Sequence, residues 1–185
     1  IKLAVALSLI VFIFWGILTF QQTKIWHNSE TLWTNVMNIY PENELPYWYR
    51  GVYYFNHKEN DKVVEDFSKV IALNPTKVEA YNTRGTIYKN KGMLQEALND
   101  FNQVIRIQPN EFSGYIQRGS LLMNIGRNQE AHADYQKATE LNPNYYSGYM
   151  NLGIINSILG NFDIAGKYFN KAVELEPNIA EVYSN

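Results

Sequence analysis

The sequence contains no cysteine. That excludes a disulfide scaffold, a thiolate zinc site, an iron–sulfur cluster and any thiol nucleophile. Charge is scarce as well. Only 18% of the 185 residues are charged, with 16 Lys and Arg against 18 Asp and Glu and no basic block. The clustered positive face that binding of nucleic acid requires is therefore missing. Histidine occurs three times, as His27, His57 and His132, with no metal-ligand spacing and no nucleophile motif beside any of them. There is no phosphate-binding glycine loop and no H-E-x-x-H helix. The expectation is a segment with no catalytic residues, no metal, no cofactor and no nucleic-acid partner. What is abundant is apolar side chain, 46% of the residues, too much for a disordered chain.

The apolar residues are concentrated first at the start of the chain. Leu3 to Thr23 carries no charge, and Leu3 to Phe20 reads LAVALSLIVFIFWGILTF. As a helix, about 18 to 21 such residues at ~1.5 Å each cross the ~30 Å hydrocarbon core of a bilayer. The run contains Phe12, Phe14, Trp15 and Phe20 and has no small-residue cleavage site, which separates it from a signal peptide. Residues 1–23 are thus expected to form one transmembrane helix, with membrane contact through residues 3–20. Lys2 on one side and Lys24 on the other leave its orientation open. The first residue is Ile1 rather than Met, which reads as a segment of something longer.

Beyond residue 23 the chain repeats every 34 residues. Pro41, Pro75, Pro109, Pro143 and Pro177 keep that spacing, and so do Gly51, Gly85, Gly119 and Gly153. The tyrosines Tyr47, Tyr81, Tyr115, Tyr149 and Tyr183 do the same, as do the aromatics Trp33, Phe67, Phe101, Tyr135 and Phe169. The complete units are 44–77, 78–111, 112–145 and 146–179, numbered here by position 1 to 34 within each. Positions 4, 7, 8 and 11 mark one face of a first helix, and positions 20, 24, 27 and 28 the inner stripe of a second. Gly at position 8 lets a neighbouring helix approach. Gly92, Gly126 and Gly160 at position 15 suit a left-handed C-cap, and the Pro at position 32 ends the second helix. Such a helix pair cannot bury both faces alone, so units must stack. Run backwards, the register places a second helix over residues 29–40, within a linker segment 24–43, and gives it no first-helix partner except the apolar run. Residues 180–185 start a further, truncated unit.

These markers resemble the tetratricopeptide repeat, almost position by position over residues 44–179. The resemblance implies an all-α fold, a right-handed superhelix of antiparallel helix pairs, preceded here by the one transmembrane helix. Departures are Lys58 for Gly at position 15, Val63 for Ala at position 20 and Asn156 for an aromatic at position 11. The resemblance also implies a concave wall built from first-helix positions 2, 5, 9, 12 and 13, which bind a protein or peptide. The wall residues singled out are Trp48, Asn82, Thr86, Lys89, Ile116, Ser120, Met123 and Met150, with Asn82 and Ile116 expected to point into an open groove. Their mixture of amides, hydroxyls and adaptable apolar groups suits a polypeptide ligand. Members that clamp a C-terminal carboxylate have Lys and Asn at positions 5 and 9 of their first repeat. Trp48 and Val52 stand there, against that ligand class.

Arg50, Arg84 and Arg118 recur at position 7, and Asp66, Asp100 and Asp134 at position 23 of the same units. In the fourth unit both change together, to Leu152 and Tyr168. Joint appearance and joint loss point to structural ion pairs between the two helices of a repeat; the alternative is an arginine ladder for an anionic ligand.

A second resemblance lies in the linker. Lys24, Trp26, Asn28, Ser29, Glu30, Leu32 and Trp33, followed by Pro41, look like the junction between the last membrane helix and the repeats of multi-span proteins related to protein O-mannosyltransferases. That resemblance implies an extracytoplasmic repeat array, periplasmic or lumenal. Two functions stay open at this point. One is a membrane-anchored scaffold for protein–protein or protein–peptide interaction. The other is the C-terminal repeat region of a membrane glycosyltransferase, presenting an acceptor protein to a catalytic domain upstream. Contact with such an upstream domain, or self-association, belongs to the same set of expectations.

Overall fold

The computed structural model describes residues 13–15 and 28–177. The described residues hold nine complete helices, named here α1 Ser29–Ile39, α2 Glu44–Asn56, α3 Asn60–Leu73, α4 Val78–Asn90, α5 Leu94–Ile107, α6 Phe112–Asn124, α7 Asn128–Leu141, α8 Tyr146–Ile158 and α9 Phe162–Leu175. There is no strand among the described residues. The fold is an all-α array of helix pairs. None of the described helices is long and apolar enough to cross a membrane. The run Leu3–Phe20 lies outside the described residues except for Ile13, Phe14 and Trp15, which are helical and exposed. Most of the linker to residue 27, and the further unit at 180–185, also lie outside them.

Each second helix owes its position to one apolar stripe. In α5 the side chains of Ala97, Leu98, Phe101 and Val104 are buried at spacings of one, three and three, one face of a helix. Full burial of a side chain like Phe101 contributes about 1.5–3 kcal/mol. The first helices end in a left-handed residue. Gly92, Gly126 and Gly160 have φ of 75°, 76° and 79°, and Lys58 takes the same conformation at φ 60°. In the second repeat the cap closes with Met93 N–H on the Tyr88 carbonyl at 2.9 Å, so a lysine without glycine's freedom pays strain at position 58. At its start, α1 is closed by a reciprocal capping box between Asn28 and Thr31.

The chain divides into two compact units, 1–80 and 81–185. In the first, α2 and α3 fold back on one another over Gly51, where an added methyl would fall on the Phe67 ring. Val63, Asp66, Phe67 and Val70 bury one face of α3. The orphan helix α1 is held against α2 by Trp33 stacked on Tyr49 with ring centroids 4.7 Å apart, and by Tyr54 O–H donating to Glu30 Oε1 at 2.8 Å. In the second unit a continuous cluster of Ala97, Leu98, Phe101, Leu121, Leu122, Ala131, Tyr135, Leu152 and Ile155 runs through three repeats. Phe101 stands over Gly85 and Tyr135 over Gly119, with 3.0 and 3.2 Å from a built Cβ to the nearest ring atom.

Candidate functional site

The recurrent Arg and Asp meet in three repeats with the same geometry. Arg50 Nε and Nη2 donate to Asp66 Oδ2 and Oδ1 at 2.9 and 2.7 Å. Arg84 repeats this on Asp100 at 2.9 and 2.7 Å, and Arg118 on Asp134 at 2.8 and 2.6 Å. All three carboxylates are buried. The pairing is bidentate, the strongest arrangement open to these groups. Donating to Asp66 raises the Arg50 pKa, and donating to Asp134 does the same for Arg118. Burial pushes Arg84 the other way, but its bond to Asp100 and the nearby carboxylate charge leave it raised. For Asp66 burial wins over Arg50 and lifts the carboxyl above its ordinary value.

The guanidinium also does something the spacing alone did not show. Arg50 Nη1 donates to Thr34 Oγ1 at 3.0 Å, and Arg118 Nη1 to Asn102 Oδ1 at 2.7 Å. Thr34 and Asn102 both stand at position 25 of the preceding repeat. The arginine thus joins its own two helices and the second helix of the repeat before it. Arg118 has Nε and both terminal nitrogens engaged, which argues against a ladder offered to an anion. In the fourth repeat Leu152 is buried in the apolar cluster, with Tyr168 packed against it; the ionic seam has become an apolar one.

The wall residues fall on both units. Trp48, in the first, stacks on Phe67 at 4.9 Å with an interplanar angle of 8°, and Lys77 Nζ stands 4.6 Å from the same ring centroid. Its ring packs inside its own repeat. Asn82, Thr86, Lys89, Ile116, Ser120, Met123 and Met150, in the second unit, are all half-buried. Ile116 and Met123 pack against the central cluster. Thr86 spends its hydroxyl on the Asn82 carbonyl at 2.8 Å, and Ser120 bonds the Tyr135 side chain. The Asn82 Oδ1 is buried without a partner. Asn82 and Ile116 are therefore half-buried rather than free in an open groove as expected, and Ile116 is drawn into the central cluster. Other wall positions are exposed: Leu45, Phe55, Asn56 and Glu79 in the first unit, and Asn90, Ser113, Asn124, Ile154 and Ile158 in the second.

The periodic tyrosine at position 4 also acquires a role that periodicity did not reveal. Tyr47 O–H donates to the Pro41 carbonyl at 3.2 Å and Tyr115 O–H to the Pro109 carbonyl at 3.0 Å. In these two repeats it ties the first helix to the turn before it. Among the described residues no group of His, Asp or Glu is arranged to hold a metal ion.

Comparison with known proteins agrees with this architecture. Family profiles described as tetratricopeptide repeat match residues 78–111, 112–145 and 146–179, together more than half of the chain. A crystal structure of MamA superposes with a TM-score of 0.76 at 22% identity, covering 86% of this chain and 95% of that one. MamA 41-end from Desulfovibrio magneticus RS-1 gives 0.70 at 19% identity, covering 82% and 97%. At these identities the likeness is one of fold. No curated protein sequence matches the chain, and nothing in the comparisons supports an O-mannosyltransferase-like junction at Lys24–Pro41. On its helix pairs, its seams and its repeat profiles, the chain belongs to the tetratricopeptide-repeat proteins, scaffolds for protein–protein interaction.

Proposed function

We propose that the chain is a membrane-tethered scaffold that holds a polypeptide against the first helices of its repeats and performs no chemistry of its own. The observation that carries the reading is on α8. Leu152 and Ile155 are buried, yet Ile154 and Ile158 on the wall side are left 38% and 57% exposed. Apolar side chains left uncovered beside half-buried Met150 suit a partner's side chains. The exposed Asn90 and Asn124 offer amides to its backbone. The tether is supported by the uncharged run Leu3–Phe20 and by the helical, exposed Ile13, Phe14 and Trp15 within it.

The test replaces Ile154 and Ile158 with the residues of the third repeat at the same positions, as Ile154→Ser and Ile158→Asn. Because both side chains are exposed, melting should not change, while binding of a partner captured from membrane extract should weaken at least tenfold, about 1.4 kcal/mol. Retention of the partner at full strength by the folded double variant places binding elsewhere.

A further inference from the structure

A cleft of about 400 Å³ lies between α7 and the turn joining α8 to α9, and it shares no residue with the wall. The equivalent seam one repeat earlier encloses about 330 Å³. Comparing the two, 34 residues apart, shows a wholesale change of chemistry. The earlier seam is lined by Arg118, Arg127, Glu130 and Asp134, whose charges are consumed in two internal bidentate pairs. In the later seam Arg127 becomes Asn161, Glu130 becomes Ile164 and Asp134 becomes Tyr168. Leu98, Asn102 and Leu122 become His132, Gln136 and Asn156. None of the lining residues is Lys, Arg, Asp or Glu.

We propose that this seam between the third and fourth repeats is a second recognition site, which takes an uncharged peptide segment bearing an aliphatic side chain. An ionised ligand would meet no lysine, arginine or carboxylate there to offset whatever hydration it gave up. A pure hydrocarbon would cover the carboxamides of Gln136 and Asn161 without offering them a hydrogen bond, which is a smaller cost of the same kind. A peptide meets both demands, its amides facing the carboxamides and its side chain lying against Leu159 and Ile164. The buried Asn156 is set for this: its Nδ2 is anchored on the Leu152 carbonyl at 2.8 Å, while its Oδ1 receives only a 3.4 Å contact from Asn161. The first residue of α9, Phe162, stands beside the cleft 72% exposed. That apolar area beyond the cleft suits a polypeptide partner, which has anchors to place there, better than a small sugar.

The experiment titrates the isotopically labelled full chain with N-acetyl-leucinamide. Side-chain amide resonances of Asn156 and Gln136 are followed, with N-acetyl-aspartate amide, N-acetyl-lysinamide and methyl glucoside as the contrasting probes. The expected result is saturable shifts with N-acetyl-leucinamide alone. Binding should be lost by at least tenfold in Asn161→Arg with Ile164→Glu, which copies the Arg127–Glu130 pair of the third repeat, and in Asn156→Leu, which copies Leu122 and is followed at Gln136. Two variants with separate substitutions guard against a local folding defect in either. Unchanged affinity in both variants, equal shifts at Asn102 in the earlier seam, or tighter binding of a charged probe or of methyl glucoside overturns the proposal.

Discussion

Arg118 closes a two-point bond on the buried carboxylate of Asp134, and its remaining terminal nitrogen lies 2.7 Å from Asn102 Oδ1 in the preceding repeat. One side chain therefore fixes both the angle within a helix pair and the stacking of that pair on its neighbour. Removing the arginine alone strands a buried charge, at about 3–5 kcal/mol. The double change Arg118→Leu with Asp134→Tyr copies the fourth repeat and should recover most of that loss in urea unfolding. A double-variant loss equal to the sum of the single losses means no coupling and contradicts the arrangement.

Two glycines separate close packing from simple helix propensity. At Gly51 a built Cβ overlaps the Phe67 ring, whereas at Gly166 in α9 nothing stands within 4 Å. Gly166→Ala should stabilise by about 0.5–1 kcal/mol, the ordinary gain of alanine in a helix. Gly51→Ala receives the same gain but forces the ring aside, for a net loss of roughly 1–2 kcal/mol after overpacking of about 1–3. Denaturation midpoints moving in the same direction for both variants would refute the packing assigned to Gly51.

Two buried tyrosines give the protein an alkaline limit. Burial, with the Glu30 hydrogen bond, pushes Tyr54 from 10.0 up to about 12, and burial beside Asp134 does the same for Tyr135. Between pH 10 and 12 the folded chain keeps protons the unfolded chain has released. Stability present below pH 10 is therefore lost as pH rises through that window, by roughly 2–3 kcal/mol per tyrosine. Tyr135→Phe should flatten part of the fall when urea midpoints are compared at about pH 9 and about pH 12. An unchanged slope in that variant shows that the phenol does not carry the effect.

The helix pairs and their charged seams could be read from the sequence because each depends on a residue that recurs every 34 positions. Gly85 and Phe101, or Arg84 and Asp100, are marked by joint recurrence, and spacing alone brings them together. The wall was less legible. Ile116 and Met123 sit at wall positions but pack on the central cluster, and Thr86 and Ser120 spend their hydroxyls internally. A position number states which face a residue occupies, not how deeply the next repeat covers it. The bonds from Tyr47 to Pro41 and from Arg118 to Asn102 join different repeats, and a within-repeat reading passed over them.

The tether has its own prediction. If Leu3–Phe20 crosses the bilayer, the intact chain sediments with membranes and resists carbonate extraction, while a chain starting near Gln22 stays in the supernatant. Identical fractionation of the two forms contradicts the proposed span.

The most direct test of the scaffold reading places a photo-crosslinking residue at Ile154, and separately at the exposed Lys137 on α7, in the full chain in its native membrane. The account predicts a discrete polypeptide adduct from position 154, abolished by Ile158→Asn, and none from position 137. Adducts of equal yield from both positions, or from position 137 alone, would contradict it.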